Sequence, residues 1–437
     1  MFEPGTKFLE SKKSVLLVDG LRTPFMRSGS EFVDQISYDL AREVLKGILL
    51  RNGLSGNDLD SVIMGSVVQN SSTPNVARDA ALGAGIPNTV PASTVTMACI
   101  SASKAISEGM NAIWLGQADT VLAGGVEVLS DVPVGFKKEV RKKFFESRKY
   151  KGPLDYTNFL KGISPGDLLP IAPAIAEFST QETMGESADK LAASFGISRQ
   201  AQDEYALRSH HLAAKASVEG KLSNEIMPTA VAPGFTPFSQ DNTFRADTSL
   251  EALAKLKPVF VKPFGTVTAG NSSPLTDGAA VSLLMSEDKA KAMGYSPKAY
   301  LRDYVFVAQD PAEELLLGPA YATPKLLERN GLGFSDLDVI EIHEAFAGQV
   351  LAVLAALESD KFAQEQLGRK EKVASINLDK INLWGGSLSL GHPFGATGSR
   401  LVNQAANRLH DEDGRFALVT ACAAGGLGHA MLIERAS

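Results

Sequence analysis

The sequence has 437 residues, of which 44% are hydrophobic and 21% are charged, and a formal net charge of −7. This composition is typical of a globular protein, and the acidic balance argues against nucleic acid as the main partner, because nucleic-acid-binding proteins usually carry a basic domain. The length exceeds the size at which one hydrophobic core stops growing, so two or more core units are expected.

The first 128 residues alternate strand and helix patterns with short connections. Strands are predicted at 14–19, 61–68, 94–96 and 120–125, and helices at 36–52, 75–85 and 101–115. This alternation predicts a parallel or mixed sheet that is covered by helices on both faces. Cys99 falls between the third strand and the third helix.

Residues 129–260 interrupt this alternation and are predicted to form an inserted loop domain. They contain proline-rich turns, polar loops and an amphipathic helix at about 199–219, whose His210 and His211 are expected on a solvated face. Residues 261–292 are predicted to return to the first half, with its closing strand at 278–285.

An internal repeat predicts that residues 293–437 form a second copy of the first half. Arg-Asn-Gly-Leu at 51–54 and Asp-Leu-Asp at 58–60 recur 278 positions later, at 329–332 and 336–338. Each copy is predicted to end a helix at glycine, turn, and enter a buried strand. The helices that follow Cys99 and the Gly391–Gly398 segment should then face each other across a pseudo-twofold axis.

Cys99 and Cys422 are the cysteines of the chain, and both lie among small residues without forming a disulfide framework. We therefore expect a reducing compartment: the cytoplasm, or the mitochondrial matrix if the chain is the mature form of a eukaryotic protein. Residues 1–14 lack the apolar run of a secretory signal, and no later run of about 18 apolar residues predicts a membrane span. The prediction is a soluble protein with, at most, peripheral membrane contact.

Cys99 has the position of a nucleophile, between a strand and a helix. A thiol pKa of about 8.5 is lowered by a helix N-terminus and an adjacent imidazole, which would favour the thiolate. His392, in the glycine-rich segment Gly391–Gly398, is predicted to lie at a helix start and could accept the thiol proton. The alternatives are a buried core cysteine and a loop histidine that is bonded to backbone.

Cys422 is followed by Ala423, Ala424, Gly425 and Gly426, whose backbone N–H groups could form an oxyanion hole. The alternative is a core cysteine at a strand end. His343 and Glu344 leave a strand, but Ala347 excludes the His-Glu-x-x-His pattern of zinc enzymes, so no metal site is predicted. A polarising or water-holding role is predicted for His343, with a helix cap as the alternative.

At these motifs the chain resembles the thiolase family, from Arg22-Thr23-Pro24-Phe25 to its C-terminus. His343-Glu344-Ala345-Phe346 in place of the commoner Asn-Glu-Ala-Phe, and a long basic insertion, make it similar to the β-subunit class of the trifunctional complexes of fatty-acid β-oxidation. The resemblance implies an α/β, duplicated, five-layer αβαβα fold with an inserted loop domain.

The resemblance also implies a role for each site residue. Cys99 would accept the acyl group, His392 would activate Cys99 and later CoA, and Cys422 would exchange a proton with the acetyl-CoA α-carbon. His343 would help His392 to form a first oxyanion hole, and the N–H groups of Cys99 and Ala424 would form a second.

Ser273, in the small-residue loop 265–273, would contact the pantetheine of CoA, although such a loop could also be only a tight chain crossing. The implied substrates are 3-ketoacyl-CoA and CoA, without a cofactor. The implied assembly is a homodimer or tetramer, with a hydratase/dehydrogenase α-subunit as a further partner.

Residues 137–151 hold eight basic and three aromatic side chains, which predicts a contact with an anionic bilayer or a partner subunit; a solvated loop is the alternative. For the whole chain, three functions compete with thiolysis of 3-ketoacyl-CoA. They are a biosynthetic acetoacetyl-CoA thiolase, a decarboxylating ketoacyl synthase with Cys99, His343 and His392, and a catalytically idle acyl-CoA-binding subunit. Cys422 favours a thiolase, because decarboxylation does not require an α-carbon acid.

Overall fold

The computed structural model describes residues 13–173 and 175–436. Most of the segment that was considered for a secretory signal, residues 1–12, lies outside them. The strands are β1 (Val15–Arg22), β2 (Met26–Arg27), β3 (Ser61–Gly65), β4 (Ala92–Val95), β5 (Thr120–Glu127), β6 (Thr229–Ala230), β7 (Pro237–Phe238), β8 (Thr276–Ser286), β9 (Ala299–Ala308), β10 (Val339–Ile342), β11 (Phe416–Ala423) and β12 (Leu427–Arg435).

The helices cover the sheet strands and build most of the inserted region. They are α1 (Ser37–Asn52), α2 (Val76–Gly83), α3 (Ser101–Trp114), α4 (Lys138–Ser147), α5 (Thr157–Leu160), α6 (Met184–Ser194), α7 (Arg199–Val218), α8 (Leu250–Ala254), α9 (Glu287–Met293), α10 (Gly318–Arg329), α11 (Ala347–Leu357), α12 (Asp360–Gln366), α13 (Ser387–Leu390) and α14 (Thr397–Asp411). Within the described ranges, none of these helices is both long enough and apolar enough to cross a bilayer.

The main sheet contains strands from both halves of the chain. Its order is β10-β11-β12-β9-β1-β8-β5-β3-β4, with β2 paired to β8. Strand β3 is parallel to β4 and β5, and β10 is parallel to β11, whereas β8, β9 and β12 pair antiparallel with their neighbours. The two halves are joined where β1 pairs with β9, at Leu16–Tyr300 and Leu17–Ala299.

The core is layered as α, β, α, β, α. Helices α1 and α2 pack against the first half of the sheet, and α10 and α11 pack against the second. Helices α3 and α14 share a third core between the two halves. Along β1, Val15 and Leu17 face this central core while Leu16 and Val18 face the outer one, as the alternation of a strand requires. The prediction of a duplicated five-layer fold is confirmed.

The repeated sequence makes the same contacts twice. Gly53 and Gly331 end α1 and α10 with left-handed backbone at φ 59° and 65°. In each copy, the arginine and asparagine before the glycine both donate to one aspartate of a nearby strand. Arg51 and Asn52 donate to Asp19 of β1, and Arg329 and Asn330 donate to Asp303 of β9. The last aspartate of each repeat accepts two backbone N–H groups, as Asp60 from residues 119 and 120 and Asp338 from residues 415 and 416.

Two of the differences from the predicted boundaries concern the segments around the active site. The strand predicted at 61–68 ends at Gly65, because the N–H groups of Val67 and Val68 donate to the buried carboxylate of Glu127. His392 does not lie at a helix start, since α14 begins only at Thr397. The domain boundaries at 128, 260 and 292 stay a prediction.

A buried ion group attaches the inserted region to β1. Arg22 donates to Glu225 and Asp241 at 2.7 Å each, and all three side chains are about 1% exposed or less. The N–H of Phe25 donates to the same Asp241 at 2.6 Å. The region that follows β5 is therefore fixed to the first strand of the fold.

Candidate active site

Cys99 lies in a strained turn between β4 and α3. Ala98 has a φ of 46°, a left-handed conformation that residues other than glycine seldom adopt. The hydroxyl of Ser101 holds this turn, since it accepts the N–H of Met97 at 2.8 Å and donates to the carbonyl of Ala98 at 2.7 Å. The turn presents Cys99, which is partly exposed, two residues before the helix begins.

His392 follows Gly391, whose φ of 95° and whose close approach to Thr276 leave no place for a larger residue. Its Nδ1 lies 2.6 Å from the hydroxyl of Thr397, and that hydroxyl donates to the carbonyl of Pro393 at 3.0 Å. The hydroxyl has one proton, so it accepts from His392 and the proton of the imidazole is on Nδ1. The Nε2 atom, buried and without a partner among the described residues, is therefore the basic nitrogen.

His343 has the opposite tautomer. Its Nδ1 lies 2.8 Å from the hydroxyl of Ser387, and Arg400 donates to the same hydroxyl at 2.7 Å. Among the described residues, His343 Nδ1 is the one acceptor that the structure shows for the proton of Ser387, whose oxygen accepts from Arg400, and donation of that proton to His343 places the imidazole proton on Nε2. His343 therefore offers a hydrogen-bond donor where His392 offers an acceptor.

The structure brings the predicted side chains together. The Sγ atom of Cys99 and one ring nitrogen each of His343 and His392 lie within 4.8 Å of one another, and the two ring centroids are 4.1 Å apart. The Nδ1 atoms are bonded to hydroxyl groups, so the Nε2 atoms are the ones available to the thiol. Cys422 is buried at the end of β11 and is close enough to Cys99 for the charge of a Cys99 thiolate to raise the pKa of Cys422.

The first turns of α3 and α14 are in direct contact, as the repeat predicted. A Cβ atom at Gly398 would lie 2.5 Å from the backbone nitrogen of Ser103. The segments that carry Cys99 and His392 therefore reach the site from the two halves of the fold.

The ionisation of Cys99 contradicts the prediction. Burial of the sulfur raises the pKa of the thiol to about 11, although the N–H groups of Ala424 and of Cys99 itself lower it, and the charge of Glu127 raises it further. Burial, together with the positive charge of Arg400, lowers the pKa of His392 to about 3. His392 is thus neutral and supplies no positive charge, and the resting thiol is protonated. Thiolate formation requires proton transfer to His392.

The two remaining predicted residues have different surroundings. The N–H of Ala424 points at the sulfur of Cys99, which is the placement expected of an oxyanion-hole donor. Ser273 donates its N–H to the carbonyl of Ala345 at 2.9 Å, so the loop that carries it lies beside the His343 segment. Its contact with CoA stays a prediction.

Several positions that support the site were missed from the sequence. Thr397 lies inside the predicted Gly391–Gly398 segment, so its nearness to His392 was available as a signal. Ser387 and Arg400 are distant in sequence from His343, and no local pattern connects them. Glu127 follows the glycines that end β5, and its carboxylate binds the loop of His392. The buried carboxylate of Glu344 accepts from Tyr205, Ser209 and Asn382 and so secures the His343 segment.

A protonated thiol beside a neutral imidazole base, with converging N–H donors and a second thiol, fits acyl transfer through a thioester on Cys99. In such a reaction the base would create the nucleophile at the moment of attack, and the N–H groups would stabilise an oxygen that becomes negative. The second thiol stays protonated, because burial raises the pKa of Cys422 well above the ordinary value, and it would then be able to donate a proton.

Comparisons with known proteins agree with this chemistry. A model of the thiolase N-terminal domain matches residues 15–288, and one of the thiolase C-terminal domain matches residues 295–435. The chain is 55% identical over 422 residues to the mitochondrial trifunctional enzyme subunit beta of Rattus norvegicus, covering 97% of this chain and 88% of the relative. It is 51% identical to a probable 3-ketoacyl-CoA thiolase of Caenorhabditis elegans, covering 96% and 94%. The crystal structure of human mitochondrial 3-ketoacyl-CoA thiolase in complex with CoA matches with a TM-score of 0.83 and 31% identity, covering 97% and 98%.

Proposed function

The chain belongs to the thiolase family, and we propose that it is a 3-ketoacyl-CoA thiolase of fatty-acid β-oxidation. It cleaves 3-ketoacyl-CoA with CoA into acetyl-CoA and an acyl-CoA that is shorter by two carbons. The observation that carries this proposal is the convergence of Cys99, His343 and His392, with Cys422 and the N–H of Ala424 beside them.

The first half-reaction forms the acyl-enzyme. Nε2 of His392 takes the proton of Cys99, and the thiolate attacks the ketone carbon of the substrate. The N–H groups of Cys99 and Ala424 stabilise the resulting oxyanion, a task for which each such donor is worth roughly 10²–10³ in rate. Collapse breaks the bond between C2 and C3 and leaves the acyl group on the sulfur of Cys99.

The leaving group is the enolate of acetyl-CoA, and it requires a stabilised oxygen and a proton. The Nε2–H of His343 and the newly protonated His392 donate to the thioester oxygen. Cys422 supplies the proton to C2, and the proton held by His392 then passes to the Cys422 thiolate, which restores the neutral imidazole and the thiol. In the second half-reaction, His392 takes the proton of the incoming CoA, whose sulfur attacks the acyl-enzyme. The shortened acyl-CoA is released as the bond to the sulfur of Cys99 breaks, and His392 returns the proton to Cys99.

A decarboxylating ketoacyl synthase is the second candidate, because a cysteine and two imidazoles within 4.8 Å would also serve that reaction. The purified protein is to be assayed for thiolysis of 3-ketohexadecanoyl-CoA and acetoacetyl-CoA and for decarboxylation of malonyl-CoA. Thiolysis that is lost in Cys422→Ala supports the thiolase. If the protein decarboxylates malonyl-CoA without thiolysis, and Cys422→Ala retains this activity, the assignment changes from thiolase to synthase. A preference for acetoacetyl-CoA would favour a biosynthetic thiolase.

For the assembly, we propose a homodimer or tetramer that associates with a hydratase/dehydrogenase α-subunit and contacts an anionic membrane through residues 137–151. The support is the 55% identity to a trifunctional enzyme subunit and the surface around α4. Phe144 and Phe145 are 48% and 61% exposed there, beside the exposed side chains of Arg141 and Lys142. Exposed apolar and basic side chains together suit a charged membrane surface.

Charge reversal tests this surface. The changed residues are Arg141, Lys142, Lys149 and Lys151, each to Glu. We expect weaker co-sedimentation with vesicles of phosphatidylcholine and cardiolipin, or weaker capture of the α-subunit. The control reverses four exposed lysines elsewhere, at Lys46, Lys255, Lys257 and Lys370. Equal binding by the two variants would contradict the proposal.

A further inference from the structure

Glu127 is a fully buried carboxylate at the end of β5 to which the reaction above assigns no part. None of the ion pairs within residues 13–173 and 175–436 includes it. Instead, its two oxygens accept backbone N–H groups from Val67 at 3.0 Å, Val68 at 2.9 Å and Gly395 at 3.0 Å, and the hydroxyl of Ser66 donates to one of them at 3.5 Å. A buried carboxylate that accepts backbone N–H groups from separate segments fixes those segments to one another.

The segments that it joins carry the two sides of the active site. Gly395 lies in the loop between His392 and α14. Val67 and Val68 follow β3, whose last residue, Gly65, touches the start of α3. A Cβ atom at Gly65 would lie 2.6 Å from the carbonyl carbon of Ser101. Glu127 therefore connects the loop of the base to the strand that supports the helix of the nucleophile.

Close backbone contacts make this connection tight. A Cβ atom at Gly125 would meet the carbonyl oxygen of Gly395, and a Cβ atom at Gly395 would lie 2.5 Å from the carbonyl oxygen of Val126 and 2.6 Å from that of Gly65. Where these backbone segments touch, the N–H of Gly395 donates to the carboxylate of Glu127. Replacing or shortening the Glu127 side chain therefore shifts the His392 loop directly.

We propose that Glu127 is a positioning residue of the thiolase reaction, which sets the placement of His392 against Cys99 by binding the loops on both sides. This inference rests on the proposed function and deepens it. Glu127→Gln retains the size of the side chain, but its amide group turns a donor toward one of the N–H groups. Glu127→Asp retains the charge, but its shorter side chain cannot reach both loops.

The test measures kcat, KM for CoA and the single-turnover rate of acyl-Cys99 formation. Each rate is normalised to the fraction of Cys99 that iodoacetamide alkylates in the folded protein. Because a small misplacement of reacting groups is costly, both variants should lose about tenfold or more in kcat and in acylation, with KM within about twofold. The matched control is Asp60→Asn, since Asp60 accepts two N–H groups at the other end of β5 and should leave both rates within about twofold.

Normalised rates within about twofold of the wild type in Glu127→Gln would overturn the inference. So would a loss that Asp60→Asn matches, because a general weakening of β5 would then explain it. Retention of activity in Glu127→Asp would assign the effect to charge and would also overturn positioning. A wild-type protein that fails to catalyse thiolysis contradicts the proposed function instead, which keeps the two failures distinct.

Discussion

Replacing Thr397 by valine tests the assignment of the base. The hydroxyl of Thr397 accepts the Nδ1 proton of His392 at 2.6 Å, and this contact favours the tautomer whose Nε2 is free. Valine has a similar shape but no acceptor, so the Nδ1–H tautomer would contain a buried donor without a partner. Such a loss costs about 1–3 kcal/mol. The Nε2–H tautomer, which cannot take the thiol proton, does not bear this cost.

The size of the expected decrease in kcat follows from the change in tautomer population. At about 1.36 kcal/mol per factor of ten, the cost corresponds to a decrease in kcat of about 5-fold to 160-fold. The KM for CoA should remain within about twofold, since Thr397 is fully buried behind His392. Steady-state thiolysis of acetoacetyl-CoA measures both constants. Thr397→Ser is the control, because serine retains the hydroxyl and should retain most of the activity.

Two results would refute this assignment. One is a kcat of Thr397→Val within about twofold of the wild type, which would mean that the base does not depend on this hydrogen bond. The other is an equal loss in Thr397→Ser, which would point to packing of the methyl group instead of the hydroxyl.

Three further predictions concern the nucleophile and the stability of the fold. Cys99→Ala should abolish the acyl-enzyme in mass spectrometry of protein mixed with substrate, with an unchanged circular dichroism spectrum. Burial lowers the pKa of His429 to about 3, so the unfolded chain binds an additional proton below about pH 6.5 and stability falls as the pH falls. At pH 5 this amounts to about 2 kcal/mol, and urea unfolding of His429→Phe should lack that part of the decrease. Arg22→Met leaves Glu225 and Asp241 buried without their cation and should cost about 3–5 kcal/mol in urea unfolding.

Each of these three predictions has an outcome that would contradict it. An acyl-enzyme in Cys99→Ala would remove Cys99 as the nucleophile. An equal loss of stability between pH 7 and pH 5 in the wild type and in His429→Phe would mean that another group titrates. Arg302→Met is the control for Arg22, since Arg302 pairs with Glu434 near the surface and should cost at most about 1 kcal/mol. Equal costs for the two arginines would contradict the role of burial.

The duplication could be predicted from the sequence because its repeated residues make local, directional contacts. Asp60 and Asp338 each accept two N–H groups at the start of a neighbouring strand, so the same letters recur where the same geometry recurs. The strand and helix pattern of the first half was confirmed because it is also encoded locally. The spacing of the apolar residues records which side chains face the central core and which face the outer one.

The chemistry of the site was predicted less completely. The resemblance to thiolases implied the grouping of Cys99, His343 and His392, and the geometry agrees with it. The ionisation of Cys99 was predicted wrongly, because the burial of a sulfur depends on chain segments distant in sequence. The tautomer of His343 depends on Ser387, 44 positions away, and no periodicity encodes such a contact. His210 was expected on a solvated helix face but is buried, with its Nδ1 accepting the N–H of Arg245.

The division of the site between the two repeats has a consequence for a chain still emerging from the ribosome. The thiol of Cys99 is synthesised nearly three hundred residues before the imidazole of His392. A nascent or prematurely terminated product therefore contains Cys99 without the imidazole that accepts its proton. Base-assisted acylation of the sulfur begins only when the last segment has been translated and has docked, so abortive translation products lack the catalysed reaction.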